Sequence, residues 1–156
     1  MQTTEAADDN NNGTTTTRTE LRKADSTSGG ITFGFIGCGT IASSIITGLV
    51  RAHNNHHSAD HDNDNAEEVI KVRSICVTKR SEAKSQAVQD LIQISNNKAQ
   101  NKNNQIHVER TENTQQIVNT ADVIFITVLP TQAHAVLQAL QFDPQRHIVI
   151  SLVVRT

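Results

Sequence analysis

Two glycines and an alanine lie at a spacing that can bind a phosphate group. The segment Gly37 to Ala42 reads G-x-G-x-x-A and separates the apolar runs ITFGFI and SIITGLV. In this pattern the first glycine permits a tight turn, the second lets backbone approach a pyrophosphate, and the alanine lets a helix pack closely on a strand. The unpaired N–H groups at the helix start then face the anion. The spacing favours a dinucleotide site, and a structural strand-to-helix turn is the alternative.

A second polar segment, VTKRS at 77–81, lies where a bound adenosine ribose is normally recognised. Thr78 is 41 residues after Gly37, or 25 once a 16-residue polar insert at 53–68 is set aside, near the spacing typical of NAD sites. NAD sites carry a carboxylate there, whereas this chain has Thr78, Lys79, Arg80 and Ser81. Cations and hydroxyls suit a 2′-phosphate, so the sequence predicts NADP, with NADPH preferred over NADH. The alternative is a solvated helix start, and Glu82 and Lys84 are interpreted as surface charges.

The insert at 53–68 contains residue types that bind metal ions. They are His53, His56, His57, Asp60, His61, Asp62 and Asp64. No periodicity fixes these side chains in space, as a closed metal site requires, so a low-complexity loop insert is the preferred interpretation and no metal is predicted. The polar segment at 95–105 is interpreted as a second loop insert.

The remaining reactive side chains have simple structural interpretations. Cys38 and Cys76 lie in apolar stretches without CxxC spacing, which indicates neither a disulfide framework nor a zinc site and suits a reducing cytoplasm. Cys38 is interpreted as a small side chain in a tight space and Cys76 as a core strand residue. His134 and Asp122 are interpreted as a surface imidazole and a loop carboxylate. Because nothing supplies an acid–base partner for either, no catalytic residue is predicted.

Short β-type runs alternate with helical patterns from Ile31 onward, which is typical of βαβ units and a parallel sheet. Strands are predicted near 31–36, 69–78, 106–110, 122–129 and 147–154, and a short helix at 114–120. Longer helices are predicted from apolar repeats at Ile41, Ile45 and Leu49, at Ala83, Ala87 and Leu91, and at Ala133, Val136, Leu137 and Leu140. The unbroken apolar strands VIFITV and HIVISLVV indicate a sheet covered on both faces. The predicted fold class is therefore α/β, a Rossmann-type doubly wound parallel sheet.

The first 30 residues are rich in Thr, Asn, Asp and Ser and are predicted to be a disordered tail before one domain at 31–156. The tail accounts for the formal charge of −2, so the domain is neutral overall and offers no field for nucleic acid or an anionic membrane. No apolar run reaches the length of a membrane span, and the acidic, polar start matches neither a secretory signal nor a transit peptide.

Three segments together resemble the N-terminal domain of the pyrroline-5-carboxylate reductases. They are the glycine loop, VTKRSEAK at 77–84 and TADVIFITVLPTQAHAVLQAL at 120–140, and the resemblance runs from about Ile31 to Leu152. That family reduces the cyclic imine 1-pyrroline-5-carboxylate to L-proline with NAD(P)H. The resemblance therefore implies an oxidoreductase of proline biosynthesis that acts on a C=N bond of a small-molecule substrate.

The resemblance also implies a set of cofactor-binding residues. The pyrophosphate would be held by Ile36, Gly37, Cys38, Gly39, Thr40 and Ile41, and the adenosine end by Thr78, Lys79, Arg80 and Ser81. The nicotinamide side would lie near Thr127, Val128, Leu129 and Pro130. Asn113 or Thr114 would lie close to the adenosine ribose.

Two departures from the family pattern affect specificity more than fold. The family usually has Lys where this chain has Leu129, and a small-residue turn ending in Gly where this chain has Val154, Arg155 and Thr156. The family's following helical domain, which forms the dimer and holds the imine, has no counterpart in the 156 residues, so cofactor binding with little turnover is expected. A stand-alone NADP-binding or sensing module, and a related reductase acting on hydroxyacids or deazaflavins, are the alternatives.

Overall fold

A computed structural model describes residues 29–56, 70–98 and 104–154. The five strands are β1 (Ile31–Ile36), β2 (Val72–Thr78), β3 (His107–Thr111), β4 (Val123–Ile126) and β5 (Ile148–Ser151). The four helices are α1 (Thr40–His56), α2 (Glu82–Lys98), α3 (Thr114–Thr120) and α4 (Pro130–Gln138). The predicted tail lies outside the described residues except for its last two positions, Gly29 and Gly30.

All strands are parallel and form one sheet in the order β3-β2-β1-β4-β5. The predicted α/β fold with a doubly wound parallel sheet is confirmed. The chain adds strands outward from β1 in one direction, then returns to place β4 on the other side of β1. The order therefore reverses between β1 and β4, and in such sheets ligands bind in the crevice beyond the carboxyl ends of the strands at that point.

Two apolar layers lie on the two faces of the sheet. One layer contains Phe35, Ile75 and Val77 with the inner sides of α1 and α2. The other contains Ile124 and Ile126 packed with α3. Because the central strands β1 and β2 are covered on both faces, they lack the alternation of buried and exposed residues that a half-exposed strand shows.

The buried faces of the long helices differ by a residue or more from the predicted ones. In α1 the buried apolar side chains are Ala42, Ile46 and Val50, whereas Ile41 is 52% exposed. Ile45 and Leu49 pack beside this row as half-buried residues. In α2 the buried residues are Ser85, Val88, Ile92 and Ser95, whereas Ala83 and Ala87 are exposed. Apolar residues occupy two adjacent rows along α1, so its apolar face is wide. The spacing of these residues alone does not show which row packs against the sheet.

Both long helices extend four residues into the segments predicted to be loop inserts. Residues 53–56 belong to α1 and residues 95–98 to α2. His53 is 3% exposed; its Nδ1 accepts from Val72 N at 3.3 Å, and its Nε2 lies 2.8 Å from the Asn104 carbonyl oxygen. Asn96 forms two bonds of 2.8 and 2.9 Å with the backbone of Ile106. These polar residues therefore join helix ends to strand starts.

The other candidate metal ligands of the first insert have side chains outside the described residues. Within the described part of the chain, no three His, Cys, Asp or Glu side chains are placed to share a metal ion. No helix among the described residues is long and apolar enough to cross a membrane.

Candidate cofactor site

Gly37 is the residue on which the turn after β1 depends. Its φ is +104°, and an added Cβ would lie 2.7 Å from the carbonyl oxygen of Thr127. Its N–H donates to Thr78 Oγ1 at 3.1 Å, and its carbonyl accepts from Thr127 Oγ1 at 2.7 Å. The glycine loop is thereby tied to the ends of both neighbouring strands, β2 and β4.

Gly39 has different surroundings from Gly37. An added Cβ at Gly39 would meet no atom of the protein within 4 Å, and its φ is not in the left-handed region. The first i to i−4 hydrogen bond of α1 runs from Ser43 N to Gly39 O at 3.0 Å. The backbone N–H groups that come before Ser43 at the start of the helix therefore have no carbonyl of the helix to bond. The bare backbone at Gly39 therefore adjoins open space at the positive end of a helix.

The other two small residues of the loop pack inward. Ala42 is fully buried, so α1 lies close to the sheet. Cys38 is also in the core, and burial raises the pKa of its thiol, although the charges of Lys84 and Arg110 oppose the shift. Burial, with help from Glu109, raises the pKa of Cys76 to about 12. Both cysteines are therefore neutral thiols at physiological pH.

The segment after β2 brings hydroxyl and cationic groups to the same edge of the sheet. Thr78 is buried, and its hydroxyl oxygen accepts the Gly37 N–H. Arg80 is exposed, and its Nη1 lies 3.5 Å from Gln132 Oε1 on α4. Lys79 Nζ lies 3.7 Å from a carboxylate oxygen of Glu82. Because Arg80 reaches α4, the segments after β2 and β4 lie close together.

The segment after β4 supplies the third side of the site. Thr127 donates its N–H to Ile36 O at 2.9 Å and so fixes the end of β4 against β1. Leu129 is the N-cap of α4 without a capping side-chain bond, and Pro130 is in the first turn. Leu129 is 64% exposed. The sequence therefore places an exposed apolar side chain where the resembling family usually has Lys.

Asn113 follows β3, the edge strand on the other side of β2 from the glycine loop. Its side-chain oxygen accepts the N–H groups of Gln115 and Gln116 at 3.1 and 3.3 Å, and so caps α3. This cap accounts for the asparagine in structural terms. A contact of Asn113 or Thr114 with a ribose stays a prediction.

An ion-pair cluster beside the second segment is absent from the sequence prediction. Arg110 on β3 pairs with Glu82, and the bond from Arg110, followed by the charges of Arg110 and Lys79, holds the pKa of the Glu82 carboxyl below its usual range. Sequence patterns do not pair a residue on β3 with the first residue of α2, because this contact depends on the strand order. The i, i+4 and i+7 positions of Glu82, Gln86 and Gln89 are the only signal.

Three of the four predicted segments thus meet at the carboxyl ends of β1, β2 and β4. They are 36–41, 78–81 and 127–130, joined by the Gly37–Thr78, Thr127–Gly37 and Arg80–Gln132 hydrogen bonds. This is the crevice at which the strand order reverses. The arrangement brings together a glycine turn at a helix N-terminus, two cationic side chains and an exposed apolar side chain.

Comparison with known proteins identifies the family. The family model described as NADP oxidoreductase, coenzyme F420-dependent, matches residues 32–155, which cover the described strands and helices except for Ile31, the first residue of β1. No curated protein matches the chain. The family consists of oxidoreductase domains that bind nicotinamide- or F420-type cofactors, in agreement with the Rossmann-type sheet. The chain therefore belongs to the family of NADP oxidoreductases described as coenzyme F420-dependent.

Proposed function

We propose that this chain binds NADP(H) as the cofactor domain of a pyrroline-5-carboxylate reductase-like enzyme. When bound, the cofactor supplies a hydride from nicotinamide C4 to the imine carbon, which, with a proton from solvent on the nitrogen, would reduce a cyclic imine to a secondary amine. The residues of this chain hold and orient the cofactor. The substrate assignment rests on the resemblance of the glycine loop and the 77–84 and 120–140 segments to that family.

The contrast between Gly37 and Gly39 is the observation that carries cofactor binding. Position 37 must be glycine because its φ is positive and because a Cβ there would clash with the backbone of Thr127. The fold alone therefore explains this glycine, without a ligand. Gly39 has no such requirement, since a methyl group there would enter open space. A pyrophosphate accepting the helix N–H groups would fill that space and would explain why a side chain is absent.

The preference for NADPH over NADH is supported by the charges after β2. Lys79 and Arg80 lie directly beyond a strand whose end contacts the glycine loop, and residues 78–81 contain no carboxylate. A 2′-phosphate would gain charge-assisted bonds from these cations. A ribose with a free 2′-hydroxyl would lack the carboxylate acceptor that NAD sites provide.

A deazaflavin is the second candidate ligand of the same crevice. The family description names coenzyme F420, and Leu129 presents an exposed apolar side chain where the pyrroline-5-carboxylate reductases usually have Lys. An apolar surface suits a flat aromatic ring system better than a cation does. Titration with F420 beside NADPH separates the two candidates.

The test is calorimetric titration of the 156-residue chain with NADPH and NADH, using two glycine variants. Gly39→Ala should fold normally and bind NADPH more weakly, because the methyl group occupies the space of the pyrophosphate. Gly48→Ala is the matched control, since Gly48 lies in α1 and an added Cβ there also meets nothing within 4 Å. The control should bind NADPH as the wild type does. Equal NADPH affinity in the two variants would contradict the pyrophosphate assignment.

The 2′-phosphate assignment has its own variant. Lys79→Glu with Arg80→Glu should weaken NADPH binding by about 1.5–3 kcal/mol for each lost charge-assisted contact and should affect NADH less. Unchanged NADPH affinity in this variant would exclude Lys79 and Arg80 as the phosphate ligands.

A further inference from the structure

Arg110 holds the first turns of α2 against β3. It is in register with Val77 of β2, and its side chain is only 14% exposed. The guanidinium donates to the side-chain oxygens of Glu82, Gln86 and Gln89, the last at 2.8 Å. These positions are four and three residues apart, so they lie on one face of α2. Arg110 therefore joins the first two turns of α2 to β3 through side-chain hydrogen bonds.

Glu82 is shared between Arg110 and the loop. One carboxylate oxygen bonds the Arg110 guanidinium, and the other lies 3.7 Å from Lys79 Nζ. Within the described residues, no other carboxylate pairs with Lys79 or Arg80. Glu82 is ionised at neutral pH, and the two cations hold the pKa of its carboxyl below the usual range because both favour the charged form.

A carboxylate at this position bears directly on cofactor choice. In NAD sites an acidic residue after the second strand accepts the ribose hydroxyls, and that residue repels a 2′-phosphate. Glu82 follows the loop at which a 2′-phosphate would lie, and it already contacts one of the cations that would bind the phosphate. Its orientation therefore decides whether the loop presents a cation or a carboxylate.

We propose that Glu82 is the specificity-determining residue of the 78–81 loop and that Arg110 is its positioning residue. Arg110 keeps the carboxylate turned toward β3, so that Lys79 can exchange Glu82 for a 2′-phosphate. This inference rests on the assignment of NADP(H) to the crevice.

The unequal strength of the two ion pairs supports the exchange. Arg110 is largely shielded from solvent and has three acceptors around a planar fork, which favours a fixed geometry. The Lys79 side chain is 41% exposed and lies at a longer distance from Glu82. Exposed lysine pairs are weak, so a doubly charged phosphate can replace the carboxylate at Lys79 while Arg110 retains it.

The test is calorimetric titration of the full chain with NADPH and NADH. Glu82→Gln removes the competing charge and should raise NADPH affinity about 2- to 5-fold, the range expected for one exposed ion pair, with little effect on NADH. Arg110→Gln releases the carboxylate toward Lys79 and should lower the NADPH-to-NADH affinity ratio. In the Glu82→Gln background the Arg110→Gln effect on this ratio should disappear, because no carboxylate remains to be released.

The control is Asp90→Asn, which makes the same charge change on α2 and retains the oxygen that bonds Gln86. The inference would be overturned if Glu82→Gln and Asp90→Asn had the same NADPH-to-NADH affinity ratio. It would also be overturned if Arg110→Gln weakened the binding of NADPH and NADH equally. The Glu82→Gln result decides the matter if Arg110→Gln does not fold. Failure of the proposed function is distinct, because the wild-type chain would then bind neither cofactor or would bind NADH as tightly as NADPH.

Discussion

Gly37 and Gly39 are two positions apart, and the protein needs only the first of them to be glycine. Gly37→Ala is expected to lower the free energy of unfolding by about 1–3 kcal/mol, because alanine is strained at positive φ. The backbone of Thr127, 2.7 Å from the new Cβ, adds a clash that neither strand can relieve easily. Urea denaturation followed by circular dichroism measures the loss.

The control for Gly37→Ala is Gly48→Ala in the same stretch of chain. That change removes a glycine from a helix interior and should stabilise the chain by up to about 1 kcal/mol. If Gly37→Ala were as stable as the wild type, the turn after β1 would have to differ from the one described.

At the scale of residues, the sequence predicts the structural role of the glycine turn better than it predicts which charged side chains pair. The spacing of Gly37, Gly39 and Ala42 predicts a strand-to-helix turn, because the constraint is local in the chain. The Glu82–Arg110 pair joins residues 28 positions apart and depends on β3 lying beside β2. The spacing of Glu82, Gln86 and Gln89 shows that they share one face of α2 but does not identify Arg110 as their partner, so the sequence alone leads to the interpretation of Glu82 as a surface charge.

At the scale of elements, the helices and strands are predictable and the faces of the helices are less so. Apolar repeats in α1 occupy two neighbouring rows, and only packing shows that Ala42, Ile46 and Val50 face the sheet. The predicted starts of the two loop inserts, at residues 53 and 95, are wrong for a related reason, because both lie within helices. His53 and Asn96 are polar residues in polar surroundings, yet both bond backbone groups that start a strand.

Asp122 connects two strands at the end of the sheet opposite the cofactor crevice. Its Oδ2 accepts the Thr32 N–H at 2.8 Å and lies 3.3 Å from Arg73 Nη2. Asp122→Ala leaves the N–H of a buried residue without its acceptor and should cost about 1–3 kcal/mol of stability. Asp122→Asn retains an oxygen and should cost less. Equal losses in the two variants, measured by urea denaturation, would contradict this role of the carboxylate.

His147, just before β5, should make stability depend on pH. Burial lowers its pKa from 6.5, and the charge of Arg146 lowers it further, although the charges of Asp143 and Asp122 oppose the shift. The imidazole is neutral in both states above pH 6.5, so its contribution to stability is fully present there. As pH falls below 6.5, the unfolded chain binds a proton that the folded chain resists, and that stability is lost through the folded-state pKa.

The measurement is the free energy of unfolding at pH 7.5 and 5.5 for the wild type and for His147→Asn. Asparagine can accept the Asp143 N–H that Nδ1 accepts at 3.0 Å. The variant should lose less stability between the two pH values than the wild type loses. A pH dependence identical in both proteins would show that His147 does not titrate across the folding transition.

At the scale of the whole molecule, the two halves of the sheet are covered unequally. Helices α1 and α2 contact β2 and β3, and their apolar layer reaches β4 only at Val123 and the half-buried Phe125. On the same face of the sheet, Ile148 and Ile150 of β5 are in register with these two residues and are 40% and 36% exposed. The described domain therefore has an uncovered apolar face that continues to an edge strand.

This face should cause the chain to self-associate as its concentration rises, because an apolar edge strand can pair with another copy. Ile148→Lys with Ile150→Lys places charge on the edge and should shift sedimentation profiles toward monomer. Ile94→Lys is the control, since Ile94 is 57% exposed on α2, away from β5. Because β5 forms no part of the glycine loop, the double variant should still bind NADPH. Sedimentation that is independent of concentration in the wild type, or altered equally by Ile94→Lys, would show that the β5 edge does not drive association.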